Sequence, residues 1–224
     1  MFDRLIKIIG NENLDKIKSK KILIIGLGGV GGISIETLVR NGISNIILVD
    51  NDKVDITNKN RQIIALDSNI GKNKTDCFYD RLKDINKDIN IKIINDFITS
   101  NNIDLLFNEE VDYVIDACDT ITTKILIIEE CLKRNIKFIS SMGMGKKMDI
   151  SKLKITDIRN TTYDKIAKVI RKKLKEDGIT LKVPVIYSDE VPSDNDEIIG
   201  SYSPVTSIAG IMIADYILKE IINE

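Results

Sequence analysis

The 224-residue chain contains no histidine. A Ser-His-Asp triad, an imidazole general base and a His-ligated metal are therefore excluded from the outset. Cysteine is scarce as well: Cys77, Cys118 and Cys131 are far apart and odd in number. That pattern argues against a secreted disulfide scaffold and supplies no CxxC pair for structural zinc, so a reducing compartment is expected. No run of about 18 apolar residues occurs, and the N-terminal MFDRLIKIIGNENLDKIK places charges among its apolar positions. The expectation is a cytoplasmic protein with no membrane partner. Neither sign of charge dominates, with 33 Lys+Arg against 34 Asp+Glu and a net charge of -1. The balance neither demands nor forbids a nucleic-acid partner, because local patches outweigh the sum.

What is present is a β/α rhythm. With 43% hydrophobic residues, a chain of this length can bury roughly 70% of its unfolded surface around one core. Apolar runs at 21–25, 46–50, 91–96, 111–119 and 136–141 read as strands. They are continuous rather than alternating, as parallel strands covered on both faces should be. Helical spacing falls between them at 29–40, 72–86, 99–108 and 121–134. Residues 151–182 carry LKITDI and then a charged helical stretch closing at Gly178, 188–203 reads as a polar surface loop, and 204–221 as a closing helix. We therefore expect a single domain over 1–224, α/β in class, with a predominantly parallel sheet between helical layers. A helical segment at 1–20 precedes the sheet, and a basic segment at 146–182 is set into it.

The chemistry concentrates where strands end. Gly26, Gly28, Gly29 and Gly31 follow the first strand and open a helix, so they permit a tight turn, close backbone approach to phosphates and an anion-stabilising helix N-terminus. Asp50 ends the second strand about 20 residues later, where a carboxylate can accept from ribose hydroxyls. These residues alone suit NAD as well as ATP. Arg61 and Lys74 follow the second strand, and two cations beside such a turn suit a triphosphate better than a hydride-transfer site. Ordinary solvated charges are the alternative. Asp119 lies past the fourth strand at the carboxyl edge of the sheet and can meet Mg2+ on ATP phosphates; Asp116 in the same segment is either a second candidate or a structural group.

GLGGVG at 26–31, DNDKVDITNKNRQ at 50–62, GKNK at 71–74 and DACDT at 116–120 together resemble the ThiF/MoeB/ubiquitin-activating superfamily of ATP-dependent adenylating enzymes. FDRLIKIIG at the N-terminus, GMGKKMDISKLKITDI and the small-residue terminal helix extend the resemblance to its tRNA threonylcarbamoyladenosine dehydratases. The resemblance implies a three-layer Rossmann-like adenylating fold and ligase-type chemistry in which a carboxylate attacks the α-phosphate of ATP. The activated threonyl carboxyl of the modified adenosine then cyclises with net loss of water. It further implies phosphate-side roles for Gly26, Gly28, Gly29 and Gly31, and ribose binding by Asp50. Asn58, Arg61, Gln62 and Lys74 would face the phosphates, and Asp119 would meet Mg2+. Arg4 would reach the ATP of a partner protomer in a homodimer. A monovalent cation, K+ or Na+, and a sulfur-transfer protein are also implied, with no ligands placed for the former. The alternative within the superfamily is an adenylyltransferase for the C-terminal carboxylate of a small sulfur-carrier protein. Many such relatives carry zinc-binding CxxC pairs, and ubiquitin-type enzymes carry a thioester cysteine in the region of 188–203; this chain has neither.

Two features stay open. Lys146, Lys147, Lys152, Lys154, Arg159, Lys165, Lys168, Arg171, Lys172, Lys173 and Lys175 make 146–175 basic, suited to tRNA phosphates or merely to a solvated helix face. Cys118 and Cys131 read as small buried hydrophobes.

Overall fold

The computed structural model describes residues 1–191 and 200–224. Seven strands, β1 (Lys21–Ile25), β2 (Asn45–Val49), β3 (Asn90–Ile94), β4 (Tyr113–Asp116), β5 (Lys137–Ser141), β6 (Leu153–Asp157) and β7 (Pro184–Ser188), form one sheet in the order β3-β2-β1-β4-β5-β7-β6. All neighbouring pairs are parallel except β6 with β7. The helices are α1 (Asp3–Ser19), α2 (Gly31–Arg40), α3 (Lys74–Ile85), α4 (Ile121–Arg134), α5 (Lys165–Glu176) and α6 (Ser203–Ile222).

The continuous apolar strands follow from a sheet with two covered faces. In β1, Ile22 and Ile24 enter one core with α2, α3 and α6, whereas Leu23 and Ile25 enter the other with α4 and α5. Alternate side chains of a strand point to opposite faces, so a strand serving two cores has no polar positions to spare. The closing helix α6 is buried along Val205, Ala209, Ile213, Ile217 and Ile221. It packs closely on α2: a side chain at Gly210 would stand 2.6 Å from the Val30 carbonyl oxygen.

The segment 99–108 is not an α-helix; it forms a loop and a short 3-10 turn at Ile103–Phe107, with Ile103 and Leu106 buried and Phe107 partly packed against the same core. Strand β7 was not anticipated: Pro184 opens it and its pairing partners are remote in sequence. Of the loop expected at 188–203, residues 192–199 lie outside the described residues.

The sheet order decides where a ligand can sit. After β1 the chain moves one way to β2, and the return to β4 lies on the other side of β1. Register pairs Ile25 with Val49 and with Asp116, so the loops after β1, β2 and β4 leave the sheet side by side. Open α/β sheets bind ligands in the crevice at such a reversal.

Candidate active site

At that crevice lies a cleft of about 1160 Å3 whose lining includes Gly26, Gly28, Gly29, Asp50, Asn58, Arg61, Gln62, Lys74 and Asp119. Residues separated by 93 positions in sequence thus share one cavity.

The glycine turn is built by steric necessity at two positions. Gly26 has φ +90°, and a Cβ there would lie 2.6 Å from the Ala117 carbonyl. Gly31, the first residue of α2, would place a Cβ 1.9 Å from the carbonyl oxygen of Gly26. Gly28 is different, because the nearest atom to its Cβ position is Gln62 Nε2 at 3.8 Å. Its lack of a side chain leaves space in the cleft.

Asp50 is buried, with Oδ2 accepting from the Leu27 amide at 2.6 Å and Oδ1 from the Asp52 amide at 2.8 Å. Burial raises its pKa, opposed by the charge of Lys74. Each oxygen retains a second lone pair for a hydroxyl donor. Lys74, only 5% exposed, begins α3. Its ammonium lies 2.7 Å from Asp52 Oδ2 and 3.9 Å from Asp50 Oδ2. A cation at a helix N-terminus opposes the macrodipole; these two carboxylates offset that cost.

The connection after β2 carries the other polar residues. Asn58 is buried and its Oδ1 accepts from the Asp55 amide at 3.2 Å, closing a capping box around the short turn at Ile56–Asn58. Arg61 donates to the Thr57 carbonyl at 3.1 Å and to Asn60 Oδ1 at 2.9 Å, and forms no ion pair with a described residue. Gln62 Oε1 is buried without a hydrogen-bond partner among the described residues. A buried acceptor left unpaired is costly, so Gln62 is suited to a donor entering the cleft.

The structure separates the two aspartates that sequence left open. Asp116 is fully buried and accepts from Lys124 at 3.1 and 3.2 Å and from Ser140 Oγ at 2.5 Å. It is committed to the interior. Asp119 is exposed in the cleft, with Thr120 Oγ1 3.5 Å from its Oδ1. Arg4 does not line the cleft of its own chain; it is exposed on α1.

Cys118 corrects an expectation: it is half-buried on the cleft wall, whereas Cys131 is buried as anticipated. The Cys118 thiol donates to Asp116 Oδ1 at 3.1 Å, and burial followed by the Asp116 charge pushes its pKa well upward. It is held as a thiol, the unreactive form. The basic segment also divides. Lys147 is buried, Arg171 donates to the Thr161 carbonyl at 2.6 Å, and Lys154, Arg159 and Lys173 pair with Asp189, Asp157 and Asp177. Lys165, Lys168, Lys172 and Lys175 remain on the outer surface of α5.

Phe97 and Lys124 also line the cleft and escaped sequence reading, whereas Lys147 was read only as one charge of the basic segment. Lys124 had left a signal, since it interrupts the apolar stripe Ile121, Ile128 and Cys131 of α4. Phe97 had left none.

The ThiF family pattern matches residues 2–224. The chain belongs to the ThiF family. Among ThiF-like proteins, a tRNA threonylcarbamoyladenosine dehydratase of Bacillus subtilis is 39% identical, over 96% of this chain and 92% of that protein. The Escherichia coli dehydratase is 34% identical over 76% of this chain, and dehydratase 2 of Saccharomyces cerevisiae is 34% identical over 84%. The aligned regions span 64% and 42% of those two proteins. The crystal structure of the E. coli enzyme TcdA in complex with ATP is similar with a TM-score of 0.94 and 30% identity, covering 99% of this chain and 93% of that one. The ThiF assignment agrees with the three-layer architecture expected from the strand-end motifs.

Proposed function

We infer that this ThiF protein is an ATP-dependent dehydratase of N6-threonylcarbamoyladenosine in tRNA. The observation carrying the reading is the fold-wide similarity to a dehydratase that binds ATP, joined to a cleft with an open glycine turn, a ribose-suited Asp50 and two cations beside it. The threonyl carboxylate attacks the α-phosphorus of ATP, forming an acyl-adenylate as pyrophosphate leaves. A nucleophile within the threonylcarbamoyl group then closes the ring on the acyl carbon. AMP departs with the former carboxylate oxygen, and the closing nucleophile loses a proton, so the substrate has lost the elements of water.

In this reading the Gly28 turn admits the phosphates, Asp50 accepts from ribose hydroxyls, and Arg61 and Lys74 stabilise the charge that shifts toward pyrophosphate. Asn58 and Gln62 complete the polar wall. Mg2+ fits an exposed carboxylate such as Asp119, because Mg2+ is commonly held by one or two carboxylates together with substrate phosphates; there it would neutralise phosphate charge. A carboxylate substrate is ionised at neutral pH, so the missing histidine is no obstacle. Nor does the reaction need a thiolate, consistent with the protonated Cys118.

Lys165, Lys168 and Lys172 lie three and four residues apart on α5, with Lys165 also lining the cleft. That spacing makes one ridge of a helix, suited to RNA phosphates leading away from the site. Arg4, outside its own chain's cleft, would serve the cleft of a second protomer in a homodimer.

Mass spectrometry of nucleosides from threonylcarbamoyl-modified tRNA, incubated with the protein, ATP and Mg2+ and digested gently, tests the reading. Loss of one water only when ATP and protein are both present is the expected result. An unchanged nucleoside with folded protein rejects it.

A further inference from the structure

The cleft extends beyond its nucleotide end. Past β4 it reaches the residues that follow β5, from Ser141 to Lys147, and the entrance to α5 at Tyr163, Asp164 and Lys165. Two independent observations single out this distal wall.

The first is a buried cation. Lys147 is 3% exposed, and its ammonium donates to the backbone carbonyl of Glu190 but forms no ion pair with a described residue. Burial lowers its pKa, opposed by the charges of the Asp164, Glu190 and Asp189 carboxylates, none of which accepts a hydrogen bond from it. Of three ammonium donors, one is accounted for. A buried charge is unfavourable unless it is paired, so an arriving anion would be rewarded here more than at a surface lysine. The Lys147 loop is itself well held. Asp164 accepts from the amides of Gly143 and Ala167 at 3.0 and 2.8 Å, and the Glu190 carboxylate accepts from those of Met148 and Asp149, each at 2.9 Å.

The second observation is backbone strain. Three non-glycine residues among those described have positive φ: Asn135, Lys146 and Tyr163. Asn135 caps the C-terminus of α4, where this conformation is ordinary. Lys146 (φ +58°) and Tyr163 (φ +54°) have no such explanation, and both line the distal cleft. Tyr163 is 61% exposed, so burial of its ring does not account for the strain. Strained backbone of this kind collects at ligand sites.

We propose that Lys147 is the carboxylate-binding cation of this cleft, receiving the free carboxylate of the modified nucleoside before that group attacks ATP. The inference rests on the dehydratase reading and assigns a residue to its acyl side. Sheet order supports the division of labour. Arg61, Lys74 and the glycine turn gather around β1 and β2, whereas Lys147 follows β5, two strands from β1 on the opposite side. One ammonium flanked by Asp164 suits a monoanion better than a polyphosphate.

Binding of tRNA carrying threonylcarbamoyladenosine, and of the same tRNA unmodified, should be measured for the unaltered protein, Lys147→Gln and Lys147→Arg, together with ATP affinity. The unaltered protein should prefer the modified tRNA. Lys147→Gln should reduce that preference roughly 10- to 100-fold, the scale of a lost charge-assisted hydrogen bond. ATP affinity and binding of unmodified tRNA should stay unchanged, and Lys147→Arg should retain part of the preference. An undiminished preference in Lys147→Gln, or an equal loss of ATP affinity, would overturn the assignment. An arm without mutation guards against misfolding of a variant: threonylcarbamoyladenosine nucleoside should compete with modified tRNA, and its methyl ester much less. Equal competition also overturns the proposal. If the protein dehydrates modified tRNA yet fails these tests, only the role of Lys147 falls; a folded protein without ATP-dependent water loss removes the dehydratase reading and this inference with it.

Discussion

The ammonium of Lys124 lies 3.1 Å from Oδ2 of Asp116, with the two side chains 1% and 0% exposed. The pair sits beneath the cleft. Asp116 Oδ1 also accepts from the Cys118 amide at 3.3 Å, so the pair braces the loop that presents Asp119. Removing one member of a buried pair strands the other. Lys124→Met should therefore lower unfolding free energy by about 3–5 kcal/mol, measured by urea denaturation. Adding Asp116→Asn should recover part of the loss; a single variant as stable as the unaltered protein would contradict the bracing role.

Arg61 should behave in the opposite way. Among the described residues its side chain makes hydrogen bonds only to neighbours within its own loop. Arg61→Ala is expected to change stability by less than about 0.5 kcal/mol while reducing ATP-dependent turnover roughly 100-fold or more. If the site is shared, mixing inactive Arg4→Ala and Arg61→Ala chains should restore part of the activity. Mixed chains with no recovery would argue against a shared site.

The glycines should separate into folding and binding positions. Gly31→Ala puts a methyl group 1.9 Å from a backbone oxygen, so a loss of about 3 kcal/mol or more is expected. Gly28→Ala meets nothing closer than 3.8 Å among the described residues; stability should change by less than about 1 kcal/mol. ATP affinity should nevertheless fall, because the methyl group enters the cleft. Thermal melting and calorimetric titration with ATP check the two halves separately.

An acid limb is expected from Glu224. Its carboxylate lies 2.6 Å from Lys137 Nζ and 2.5 Å from Lys20 Nζ, and hydrogen bonds from Lys137 first, then Lys20, lower its pKa to about 2. A carboxylate with a depressed folded-state pKa stabilises the fold above its unfolded pKa and loses that contribution as pH falls toward the folded value. Solvent access at this site limits the effect to less than about 1 kcal/mol. Denaturation between pH 5 and about pH 2 should show a shallower slope for Glu224→Gln; an identical slope would remove Glu224 from the account.

Much of the nucleotide end was determined by sequence alone. The continuous apolar runs of β1, β2 and β4 identify a doubly covered sheet, and strands of that kind place glycine, aspartate and basic residues at their ends in a predictable crevice. Local chemistry suffices there because turn geometry and strand length depend on near neighbours. The tertiary structure alone decided the rest. Asp116 and Asp119 are the same residue type three positions apart, and only packing against Lys124 and Ser140 commits the first to the interior. The basic segment looked uniform along the chain, yet folding buried Lys147, paired Lys154, Arg159 and Lys173, and left the outer lysines of α5 in solvent. Strand β7 and the distal cleft wall depend on partners remote in sequence. Burial and pairing are set by whichever segments the fold brings together, and those distances are not written in the spacing of any one segment.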